Sequence, residues 1–172
     1  MDEMFSGVPG QGANDAAYKT ALLVEQCILK KEDYTGGAAD VYKCFDQVQR
    51  PLMYEILRKG GMPETVLSAY TRFLEQMEVR NTVVGGIGEP YKRPTGIPQG
   101  DPFSMMVTAM MMRPWLVQMK QAAVVPRILA DDLQILARGA NRLNRFENAS
   151  DATHKHLYDM GARVAPKKSV VF

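Results

Sequence analysis

An acidic pair, Asp131-Asp132, breaks an apolar run between Ile128-Leu129-Ala130 and Leu133-Gln134-Ile135-Leu136. Residues 124–137, apolar on both sides of that pair, predict two strands joined by a tight turn. Adjacent carboxylates are costly to bury in such surroundings unless cations neutralise them. Aspartate also favours tight turns for its own sake, so the dipeptide alone fits an ordinary acidic hairpin tip as well. Asp40 shifts the comparison. It lies in a strand predicted over residues 38–42, and Phe45-Asp46 follow it in DVYKCFD. Two strands of one sheet that each deliver an aspartate can hold two Mg²⁺ ions about 3.5–4 Å apart, an arrangement suited to in-line phosphoryl transfer. Hard cations take oxygen ligands and accept substrate phosphates as the remaining ones.

The rest of the chain mixes helices with short strands in no strict alternation. A helix is predicted over residues 14–31, capped by Asn14, with Ala17, Ala21, Val24 and Ile28 on one face. A second, over 51–59, ends at Gly60-Gly61. A third follows Pro63, a favoured first helical position, with Val66, Tyr70, Phe73 and Met77 on one stripe. Residues 103–121 and 141–160 are also helical in pattern. Strands are predicted at 79–84 and 89–93 around Gly85-Gly86 and Gly88, and residues 33–37 read as loop or the start of a strand. Residues 94–102 are rich in turn residues. A final hairpin is expected from 163–165 to 169–172 across Pro166-Lys167-Lys168. Together these predict an α+β fold, a small and mainly antiparallel sheet backed by helices.

Composition narrows the function classes. The 172 residues are one domain's worth, on the scale of roughly 100–200 residues per domain. With 46% hydrophobic and 23% charged residues, disordered and fibrous classes are excluded. The net charge of +2 is far from that of a dedicated nucleic-acid coat. No segment reaches the run of about 20 apolar residues that a membrane helix needs, so no membrane partner is expected. The N-terminal MDEMFSGVPG carries acids where a secretion signal has positive charge. The expected location is therefore intracellular, cytoplasmic or nuclear. Cys27 and Cys44 read as two small buried thiols, the 12 methionines as adaptable core packing, and Trp115 as a core residue. His154 and His156, two apart on a predicted helix, point to different faces and do not pair as ligands. Arg142, Arg145 and Arg163 read as surface.

Four segments occur in a telling order: DVYKCFD at 40–46, GIPQGDPFS at 96–104, LADD at 129–132 and GARVAPKKS at 161–169. They resemble the successive active-site motifs of reverse transcriptases, especially those of non-LTR retroelements and group II introns. PGQGANDA at 9–16 is similar to the segment that precedes them, so the resemblance runs from about residue 9 to the C-terminus. It implies the palm of a right-hand polymerase with part of the fingers, in one truncated domain over residues 1–172. Thumb, RNase H and endonuclease are then absent, and further fingers and thumb segments belong to a longer polyprotein. It also implies an RNA-directed DNA polymerase that adds deoxynucleotides to a primer 3′-hydroxyl. RNA template, DNA primer and deoxynucleoside triphosphates would be its partners. Two Mg²⁺ ions, replaceable by Mn²⁺, would be its cofactors.

Residue by residue, the resemblance makes Asp40 and Asp131 the metal-bridging carboxylates and Asp132 the third acid, with Val41 beside them at the metal site. The main-chain N–H groups of Val41 and Tyr42 are offered to phosphate oxygens. Phe45 matches the bulky gate beneath the incoming sugar, where an aromatic ring leaves no room for a 2′-hydroxyl. Gln99 and Gly100 match the residues that position the nucleotide, and Lys168 matches a lysine placed near the triphosphate. Without the resemblance, Phe45 reads as an ordinary core residue and Lys167-Lys168 as a solvated hairpin tip.

The sequence departs from the family pattern at Leu129, where an aromatic residue braces the primer terminus, and at the small pair Ala38-Ala39. Leu129 and the expected truncation support a second reading, a catalytically decayed relative that binds nucleic acid or a partner without polymerising. A third reading, an unrelated α+β domain with an acidic turn, conflicts with the motif order.

Overall fold

The computed structural model describes residues 3–5 and 8–172. Met1, Asp2, Ser6 and Gly7, part of the stretch read against a secretion signal, lie outside the described residues. Helix α1 (Ala13–Lys30) leads to strand β1 (Tyr34–Asp40), a single helical turn α2 (Cys44–Gln47), and helices α3 (Arg50–Lys59) and α4 (Glu64–Gln76). A ribbon of two-residue strands follows: β2 (Glu78–Val79), β3 (Thr82–Val83), β4 (Gly86–Ile87) and β5 (Tyr91–Lys92). Then come helix α5 (Ser104–Gln121), strands β6 (Val125–Leu129) and β7 (Asp132–Arg138), helix α6 (Arg142–Asp159), and strand β8 (Val170–Val171).

The main sheet has the order β6-β7-β1-β8, each neighbouring pair antiparallel. Alternation along β7 sends Leu133, Ile135 and Ala137 to one face, where Trp115, Leu116 and Met119 of α5 and Ala149 and Leu157 of α6 cover them. Asp132 and Gln134 point to the other face. There Gln134 is bonded to the Thr20 hydroxyl of α1 at 2.7 Å. The acidic face of the sheet is thus the face α1 partly roofs. A second cluster, with Met53, Leu57, Leu67, Leu74, Val107 and Met111, joins α3 and α4 to the first half of α5. Six of the twelve methionines, Met4, Met53, Met111, Met112, Met119 and Met160, are core residues as expected. Among the described residues, no helix is long and apolar enough to cross a membrane.

Three local expectations are corrected, and one left open between loop and strand resolves to strand. The packed side of α1 carries Ala16, Thr20, Leu23, Val24 and Cys27, whereas Ala17, Ala21 and Ile28 are exposed. The helix is alanine-rich on both sides, so its apolar pattern marks the buried stripe poorly. Residues 34–37 are strand, because Gly36 and Gly37 make room for aromatic rings. A Cβ would sit 2.6 Å from the Phe172 ring at Gly36 and 2.9 Å from the Phe146 ring at Gly37. The predicted strands 79–84 and 89–93 are two short ladders, β2 with β5 and β3 with β4, closed by Val84 and Gly85 at positive φ. The C-terminal segments do not pair with each other. Val164 bridges Val41, and Val170 and Val171 pair with Ala38 and Gly37. Both segments therefore run along β1 in one direction, interrupted by a 3-10 turn at Pro166–Lys168.

Candidate active site

The β1–β7 register sets Asp40 directly opposite Asp132, and Leu129 of β6 flanks Asp132 on its other side. Between β6 and β7 the chain turns through Ala130, at φ 56°, and Asp131. The Val41 N–H donates to the Asp131 carbonyl at 3.1 Å, fastening that turn to the end of β1. The three acids named from sequence are therefore brought to one end of the sheet.

Their electrostatics follow from that crowding. Partial burial, then the charges of Asp131 and Asp40, hold the Asp132 carboxyl above its ordinary range, and Lys168 works the other way. Beneath them the Cys44 thiol is pushed up to about 12 by burial and by the charges of Asp131 and Asp40. Both cysteines are buried and free. The 3-10 turn carries Lys168 over the site, with Nζ 3.4 Å from Asp40 Oδ2. Ser169, unassigned from sequence, accepts the Asp40 N–H on its hydroxyl at 3.4 Å. A lone serine after two lysines carries no signal that would have picked it out.

The expected role of the Val41 and Tyr42 amides is corrected. Val41 N–H is taken by Asp131, and Tyr42 N–H donates to the Arg163 carbonyl at 2.9 Å, so neither faces a phosphate. The Tyr42 ring instead lies under two cations, with the Arg163 guanidinium 4.8 Å and Lys43 Nζ 5.6 Å from its centre. Val41 is itself buried.

A second group of assigned residues is joined to the first through α2. Phe45 is half-buried against the second core cluster, and its carbonyl accepts the Ile97 N–H at 2.9 Å. Gln99 and Gly100, the latter at φ 85°, are exposed on the loop beyond Ile97. Trp115 is fully buried and donates its indole N–H to Thr153 at 2.8 Å. His154 is exposed on α6, with His156 on another side of the helix and half-buried.

Among the described residues no three His, Cys, Asp or Glu side chains close around a single point as a finished metal cage. The donor set is nonetheless what a hard divalent cation takes, carboxylate oxygens only, and the crowding that raises Asp132 is a surplus of negative charge at one place.

A family model described as reverse transcriptase (RNA-dependent DNA polymerase) matches residues 5–172. The chain belongs to the reverse transcriptase family. Reverse transcriptase domains use divalent metal ions in general, and the carboxylate set of this domain fits them. No curated protein sequence matches the chain. Among solved structures it is similar to apo telomerase from Candida tropicalis truncated from its C-terminal domain, with TM-score 0.73 and 13% identity over 99% of this chain and 36% of that one. Telomerase from Candida albicans, in complex with a fragment of telomeric RNA, gives TM-score 0.68 and 16% identity over 94% and 30% of the two chains. The fold is accordingly the palm and fingers fold of these enzymes, and this reverse transcriptase domain spans about a third of their length.

Proposed function

We propose that this reverse transcriptase domain is the fingers–palm core of an RNA-directed DNA polymerase of the non-LTR retroelement or group II intron type. It adds deoxynucleotides to a primer 3′-hydroxyl on an RNA template, and it works within a longer polyprotein inside the cell. The observation that carries this reading is the placement of Asp40 opposite Asp132, with the Asp131 turn fastened to β1. Asp40, Asp131 and Asp132 would hold two Mg²⁺ ions, for which Mn²⁺ substitutes, with the Val41 main chain beside them. Such a pair activates the attacking hydroxyl and steadies the leaving pyrophosphate.

The chain's own residues supply the rest. Lys168, poised above Asp40, offsets charge on the triphosphate. Phe45 lies beneath the sugar and excludes a 2′-hydroxyl, and Gln99 and Gly100 seat the nucleotide. Leu129 in place of an aromatic residue favours the alternative, a decayed domain that binds nucleic acid or a partner without polymerising.

Primer extension on an RNA template, with Mg²⁺ and then Mn²⁺, separates the two readings when run beside an Asp131→Asn variant. Extension that vanishes in the variant is the expected result. Binding of template–primer without any extension is the outcome of the alternative.

A further inference from the structure

Arg50 opens α3 with only 2% of its surface exposed. Burying a guanidinium is costly unless its donors are matched. Two of its nitrogens are directed at the main chain of two other segments: Nε donates to the Gly96 carbonyl and Nη1 to the Leu74 carbonyl at the end of α4, both at 2.9 Å. The Glu75 carboxylate lies 3.8 Å from Nη1, and Nη2 is buried without a hydrogen-bond partner among the described residues. Gly96 begins the loop that carries Gln99 and Gly100. That loop is laced to the segment bearing Phe45. Gly96 N–H donates to Val48 at 2.8 Å, Ile97 N–H to Phe45 at 2.9 Å, and the Thr95 hydroxyl to Asp46 at 3.2 Å. The approach is close enough to require glycine. Gly96 sits at φ +85°, and a Cβ there would lie 2.9 Å from the Asp46 carbonyl oxygen. At its far end the loop is held again, by the Tyr70 hydroxyl on Asp101 at 2.6 Å. Gln99 and Gly100 are the exposed span between two anchors.

We propose that Arg50 is a positioning residue for nucleotide selection. Its guanidinium clamps the loop carrying Gln99 and Gly100 onto the Phe45 segment, and so fixes the spacing between the group that tests the sugar and the group that seats the nucleotide. This inference rests on the polymerase reading above. Lysine keeps the charge but has no planar fork to span the Gly96 and Leu74 carbonyls, so Arg50→Lys releases the loop from one side. Gly96→Ala forces the same contact apart from the other side and serves should Arg50→Lys not fold.

The test has two arms, with Arg58→Lys on the exposed side of α3 as the control. Amide hydrogen exchange is expected to quicken at least tenfold at Gly96 and Ile97, with the β1 and β7 amides unchanged. In the presence of Mg²⁺ and template–primer, the preference for a deoxynucleoside triphosphate over its ribonucleotide counterpart is expected to fall by a similar factor. Adding Gln99→Ala to Arg50→Lys is expected to cost less nucleotide affinity than the two separate losses combined, because both act through one loop. Exchange that stays slow at Gly96 and Ile97, or quickens equally throughout the chain, overturns the clamp. So does local release with sugar preference intact. A wild-type chain that binds neither nucleotide counts against the polymerase reading instead, and the exchange arm then decides the clamp by itself.

Discussion

Asp40 and Asp132 are direct partners across the β1–β7 ladder, with their neighbour Asp131 locked to the same strand end by the Val41 amide. Like charges set directly opposite each other destabilise a sheet. A fold that keeps them there carries a local cost that a bound cation removes, and that cost is measurable in the protein without metal.

The sign of the pH effect follows from Asp132. Burial and its two acidic neighbours raise its carboxyl above the ordinary 3.8. The folded chain thus binds this proton more readily than the unfolded one, and the associated stability is present at low pH and lost as pH rises through the raised value. Asp132→Asn removes the charge and is expected to raise Tm at neutral pH in chelator. That gain should shrink as pH falls toward the ordinary aspartate range. Calorimetry across this interval checks it, and a variant less stable than wild type at neutral pH would contradict the crowding argument.

Lys168 separates stability from binding. Its side chain is 71% exposed and its pair with Asp40 is long, at 3.4 Å; such surface pairs contribute about 0–1 kcal/mol. Lys168→Gln is therefore expected to leave the unfolding midpoint almost unchanged. If Lys168 meets the triphosphate, the same variant loses a charge-assisted hydrogen bond of roughly 1.5–3 kcal/mol, or about tenfold or more in nucleotide affinity. Titration of nucleotide beside a denaturant curve reads both, and equal small effects would return Lys168 to the surface.

Much of this architecture was legible in the sequence, and the limits are physical. The apolar runs on both sides of Asp131-Asp132 predicted β6 and β7, because a short apolar run bounded by a turn signal fits a buried strand. The motif order pointed to the three acids, which the ladder then brought to one end of the sheet. What local pattern could not carry was partner choice. The flanks of Pro166-Lys167-Lys168 look able to close on each other, yet the open edge of β1 takes both. Gly36 and Gly37 read as loop or strand start alike until Phe172 and Phe146 are seen to fill the space above them. The Val41 and Tyr42 amides look available until Asp131 and Arg163 are seen to occupy them. Arg50 was invisible, since one arginine before Pro51 reads as surface and only tertiary structure shows the carbonyls it meets.

The core offers an independent check on the α5–α6 packing behind the sheet. Trp115, the single tryptophan, donates to the Thr153 hydroxyl, which itself donates to the Ala149 carbonyl at 2.7 Å. Thr153→Val keeps the shape but leaves a buried indole N–H without a partner, at a cost of about 1–3 kcal/mol. Denaturant unfolding followed by Trp115 fluorescence should show that loss. A neutral substitution would mean that the indole reaches another acceptor.

Phe45 is the sharpest test of the substrate assignment, because it has two separable roles. Its side chain packs on the second core cluster, so Phe45→Val is expected to cost roughly 1–3 kcal/mol of stability wherever it acts. A core residue would show that cost and nothing more. A ring lying beneath the sugar would also, once shortened, admit a 2′-hydroxyl, and ribonucleotide binding should rise at least tenfold relative to deoxynucleotide. The ratio of the two nucleotides, measured on folded protein, cancels the stability loss. Because the Phe45 carbonyl is held by Ile97 through the main chain, the substitution leaves the loop anchor in place. A changed ratio with normal exchange at Ile97 therefore assigns the effect to the ring itself, and an unchanged ratio leaves Phe45 as packing.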